Sequence, residues 1–82
     1  MRIAQIKFLL EKKLKPTFLE VIDDSHQHIG HAGAQNGAGH FTVKITADAF
    51  KNKSLIASHR LVYAALNEMM HADIHALRII IK

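Results

Sequence analysis

Seven histidines stand in a chain of 82 residues, and four of them crowd one stretch. "SHQHIGHAGAQNGAGHF", Ser25 to Phe41, holds His26, His28, His31 and His40. Neutral imidazole is the commonest protein metal ligand. Nitrogen donors can hold zinc, copper or iron without help from sulfur. Two histidines do not close a site, because zinc usually takes four ligands. The chain has no cysteine, which excludes disulfides and any zinc or iron–sulfur centre built from its own thiolates. A pair of these histidines would be a half-site that needs a partner to complete it. The competing reading is that a glycine-rich loop carries these histidines without using them.

Enzyme chemistry has little support. There is no serine nucleophile motif, no glycine-rich phosphate loop opening a helix and no H-E-x-x-H. Asp23 and Asp24 are adjacent, so on a strand their side chains point to opposite faces, which argues against a paired-carboxylate site. Ser25 and His26 are only neighbours in sequence. The expectation is a binding protein and not an enzyme.

The elements that must position the histidines are readable from periodicity. "MRIAQIKFLLEKKLK" is predicted as a helix, with Ile3, Ile6, Leu10 and Leu14 at helical spacing, Leu9 beside them, and Pro16 marking the end. "TFLEVID" is predicted as a half-buried strand in which Leu19 and Val21 share a face. The histidine stretch contains all four glycines and has no apolar period, so it is a loop. "HFTVKIT" alternates cleanly, with Phe41, Val43 and Ile45 on one side. "ADAFKNKS" gives a turn of helix and a connector, with Asp48 or Ser54 available as a cap. "LIASHRLVYAALNEMM" is a helix whose predicted stripe is Leu55, Val62, Leu66 and Met69, flanked by Ile56, Ala65 and Met70. "HALRIII" is a third strand after a short link, "HADI".

This gives an α+β fold in one small domain, residues 1–82, with α-β-β-α-α-β order. The second of the three helical elements is the single turn near Asp48. A helical crossover joins parallel strands, so the sheet is mixed and three-stranded, with the helices on one face. A geometric result follows. The end of the first strand, the start of the second and the start of the third share one edge of the domain. His26, His28, His31, His40 and His75 (in "DIHALRIIIK") meet there, with His71 nearby. His59, in the middle of the long helix, lies elsewhere.

Charge is a second, weaker signal. The formal net charge is +4 and the pI about 9.7, a balance that permits contact with nucleic acid or an acidic partner. Lys51, Lys53 and Arg60, with His59, could form a patch near the start of the long helix. No apolar run is long enough to span a membrane, and Lys7, Glu11, Lys12 and Lys13 interrupt the N-terminal apolar residues. A soluble, cytoplasmic protein is expected.

"LEVIDDSHQH", "GHFTVKI", "FKNKS", "SHRLVYAAL" and "IHALRI", in this order, resemble the BolA family over about Phe18 to Ile79. The resemblance implies a domain similar to the class II K-homology fold. It also implies partnership with monothiol glutaredoxins in iron–sulfur or iron homeostasis or cluster transfer. There a [2Fe–2S] cluster is shared: glutaredoxin and glutathione supply thiolate and the BolA-like chain supplies histidine nitrogen. His75 matches the histidine of the "IHAL" motif. Counting from "LEVIDDS" places His28 at the second ligand position, with His26 and His31 close enough to compete. The isolated chain is expected to carry no cofactor and to be a monomer. Some relatives are described as transcription regulators, so DNA binding is the alternative. "FKNKS" has no glycine, unlike the GXXG loop with which K-homology domains clamp nucleic acid.

Overall fold

Helix α1 (Arg2–Leu14) buries Ile6 and Leu10, one turn apart, while Ile3, Leu9 and Leu14 pack at its margins. Lys12 and Lys13 sit in its last turn, where positive charge favours the helix dipole. The helix stops because Pro16 follows. Lys15 swings into the left-handed region with φ 48°, and its N–H still donates to the Glu11 carbonyl at 3.2 Å. In the computed structural model, which describes residues 2–25 and 39–82, two strands come next. Strand β1 (Phe18–Asp23) pairs antiparallel with β2 (Gly39–Thr46), in a register that sets Val21 opposite Val43 and Leu19 opposite Ile45.

A single 3₁₀ turn, Asp48–Phe50, leads to α2 (Leu55–Ala65). Of the two candidate caps, Ser54 does the work. Its Oγ accepts from the Ala57 N–H at 3.1 Å, an interaction usually worth about 1 kcal/mol. The helix gives way to a second 3₁₀ turn, Asn67–Met69, and the chain enters β3 (Ile74–Ile81). Strand β3 pairs parallel to β2, so the sheet order is β1-β2-β3, as the crossover requires.

One core joins the helices to one sheet face: Ile6 and Leu10 from α1, Phe41, Val43 and Ile45 from β2, Val62 from α2, Leu66 after it, and Ile74 from β3. Two sequence expectations are corrected here. Leu55 and Ile56 are not core residues but 64% and 65% exposed. The buried stripe instead runs from Ser58 through Val62, Ala65 and Leu66 to Met69. Leu55 is on the right face, three residues before Ser58, but the first turn of α2 projects past the core. The small Ser58 is where the helix first seats.

Candidate metal half-site

The parallel ladder between β2 and β3 contains an irregularity at its start. Gly39 lies opposite Ile74, yet the next residue, His40, lies opposite Ala76. His75 is thus the extra residue of a β-bulge. The apolar pattern explains why. Leu77, Ile79 and Ile81 pack toward the core, and strict alternation back from them would send His75 inward and Ile74 outward. Ile74 is instead 2% exposed, and His75 and Ala76 are both exposed. The bulge resets the phase, so Ile74 fills the core while His75 is released from it.

His40 receives the displaced ring. It alternates with the buried Phe41 and so faces away from the helices. The His40 and His75 ring centroids are 5.0 Å apart, with the planes tilted by 54°. His40 is itself pinned to the residues that follow β1. Its N–H donates to Ser25 Oγ at 3.0 Å, and its carbonyl accepts from the Asp24 N–H at 2.7 Å. The Asp24 carboxylate accepts from the Thr42 hydroxyl at 2.5 Å, and Asp23 Oδ1 accepts from the Ser25 N–H at 2.9 Å. The two adjacent carboxylates thus take separate structural partners. Gly39 completes the corner, because a Cβ there would lie 2.6 Å from the Phe41 ring.

A cleft of about 280 Å³ opens beside this pair, lined by Asp24, His40, Phe41, Thr42, Ala76 and Arg78. A larger one, about 630 Å³, lies between α1 and the turn before β3, with Phe8, Lys12, Glu68 and Asp73 among its lining residues. It contains no histidine. Of the two, the smaller cleft is the one lined by a histidine.

The sequence-predicted residues divide as follows. His75 and His40 come together. His71 is exposed in the link before β3. His59 is half-buried on α2, and Lys51, Lys53 and Arg60 are exposed around the start of that helix, with Lys51 Nζ 3.4 Å from Asp48. His26, His28 and His31 lie outside the described residues. Among the described residues no group of three or more His, Asp or Glu side chains is placed to hold a metal. Donors from elsewhere would therefore have to complete one. An exposed imidazole on a chain without thiolates fits a minority share in an iron–sulfur cluster and does not fit a whole site. The bulge was missed in the sequence, although one signal was present: Ile74 and Leu77 are three apart, which breaks the alternation that Leu77, Ile79 and Ile81 keep.

A mixed sheet, antiparallel then parallel, backed by two helices and offering a histidine at the bulge, defines a small α+β domain. The family model described as BolA-like protein matches residues 10–82. SufE-like protein 1, chloroplastic/mitochondrial, of Arabidopsis thaliana is 45% identical, over 99% of this chain and 23% of its own length. Protein BOLA1, chloroplastic, of the same plant is 39% identical over 99% of this chain and 52% of its own length. The DNA-binding transcriptional regulator BolA of Escherichia coli is 36% identical over 88% of this chain and 70% of its own. The solved BolA domain of SufE1 from Arabidopsis thaliana superposes with TM-score 0.86 at 43% identity, covering 99% of this chain and 90% of that one. This chain belongs to the BolA family. It spans about a quarter of the first relative and half of the second. No helix among the described residues is long and apolar enough to cross a membrane.

Proposed function

We propose that this domain is a cluster-sharing partner of a monothiol glutaredoxin. His75 supplies nitrogen to a [2Fe–2S] cluster whose thiolates come from glutaredoxin and glutathione. The observation that carries the reading is the bulge, which takes His75 out of the core alternation and leaves its imidazole exposed. Family membership and the absence of cysteine support it. A second nitrogen is assigned to the histidine loop, with His28 first and His26 or His31 as substitutes. The cluster, when bound, supplies one-electron redox chemistry, and imidazole in place of thiolate raises its potential. The chain's own contribution is to present a neutral nitrogen donor at a fixed place and to dock. Mixing the chain with cluster-loaded monothiol glutaredoxin should change the visible circular dichroism and give a complex on a sizing column. His75→Ala should remove the histidine-coordinated form. An unchanged spectrum with wild-type chain, and no complex, would falsify the proposal.

A second reading rests on a separate observation. Lys51, Lys53 and Arg60 are exposed around the start of α2, and one relative is named a DNA-binding transcriptional regulator. Duplex binding through these residues should weaken with salt, because each phosphate contact releases counterions. Removing one of the three cations should lower the salt slope by about 1. Binding that ignores salt would rule this reading out.

A further inference from the structure

We propose that His40 is the positioning residue for His75: its ring is the platform that holds the exposed imidazole in one orientation. The two ring centroids lie 5.0 Å apart with planes tilted by 54°. The backbone that carries this ring is fixed on several sides. The amide donates to Ser25 Oγ, the carbonyl accepts from the Asp24 N–H, and the strand ladder pairs the residue with Ala76. His40 Nε2 is removed from solvent, so that nitrogen is out of a docking partner's reach. His75 is in the opposite situation. As the extra residue of the bulge it has no residue opposite it on β2, and its side chain is exposed. An exposed strand side chain with no lateral contact populates more than one χ1 well. Freezing it on docking would then weaken binding. The His40 ring removes that freedom beforehand. Because His40 also anchors Asp24 and Ser25, the same residue ties the entry of the histidine loop to the His75 bulge.

The functional meaning of this placement rests on the cluster-sharing reading above; the placement itself does not. The test therefore has two parts. In the free chain, the χ1 couplings of His75 and ring-to-ring nuclear Overhauser effects with residue 40 are measured by NMR. The variants are His40→Phe, which keeps a ring, and His40→Thr and His40→Ala, which do not. One rotamer is expected in wild type and His40→Phe, and rotamer averaging in the other two. Cluster-loaded monothiol glutaredoxin is then titrated in. His40→Thr should need roughly tenfold more partner to reach half-formation, the usual scale for losing a group that orients a ligand. The spectrum at saturation should be unchanged, and His40→Phe should titrate like wild type. A single His75 rotamer in the ring-free variants, or averaging in His40→Phe, overturns the proposal. So does loss of fold in both ring-free variants, which would make His40 a packing residue. Thr is included because its β-branched side chain suits a strand. If wild type gives no spectral change at all, the cluster-sharing reading fails, while the rotamers still decide what His40 does.

Discussion

His59 and His75 are both imidazoles on regular elements, and their surroundings separate them. His59 sits half-buried on a helix that packs against one face of the sheet, whereas His75 meets His40, which faces the other way. In the mixed complex with glutaredoxin, His59→Ala should therefore leave the visible circular dichroism unchanged. His28→Ala should weaken or alter the spectrum without abolishing it, since His26 or His31 can substitute. Loss of signal in His59→Ala, with His75→Ala intact and both folded, would put the ligand edge in the wrong place. Thr42 offers a test that needs no partner. Its hydroxyl is buried and donates to Asp24, so Thr42→Val keeps the shape and removes the bond. A cost of about 1 kcal/mol is expected. That lowers the melting temperature by roughly 4–8 °C in a domain of this size, as thermal unfolding by circular dichroism will report.

At the scale of elements, the junction of β2 and β3 decides the geometry of the candidate site. Gly39 opens β2 against the Phe41 ring, where an added methyl group has no room. Gly39→Ala should cost about 1–3 kcal/mol, the usual scale of overpacking, read from denaturant midpoints. It should also disturb the amide signals of Ile74, His75 and Ala76 more than those at the far end of β3. An unchanged midpoint would mean that Phe41 yields freely and the corner is soft. Element types and order were legible in the sequence because the apolar periods are clean, as in Phe41, Val43 and Ile45. What stayed hidden was a matter of phase. Reading β3 from His75 onward left out Ile74, and with it the evidence that the strand changes face at its start. Leu55 and Ile56 misled for a different reason: periodicity identifies a helix face, but it cannot say how far the core extends along it.

For the whole molecule, stability concentrates where the helices and sheet share buried side chains. Leu66 is fully buried and Leu55 largely exposed, though both are leucines associated with α2. Leu66→Ala should cost about 2–5 kcal/mol and Leu55→Ala no more than about 0.5 kcal/mol, compared by urea denaturation. Equal costs would mean that the first turn of α2 is packed after all. The meeting of His40 with His75, anticipated from topology, was legible for a related reason: a helical crossover leaves few ways to place a third strand. The parallel pairing also carries a kinetic consequence. His40 and His75 lie on strands separated by the whole of α2, so their approach is a non-local event that must bear the cost of closing a long loop. The antiparallel β1–β2 pair can form without it. Presenting His75 beside His40 therefore depends on the docking of β3 against β2.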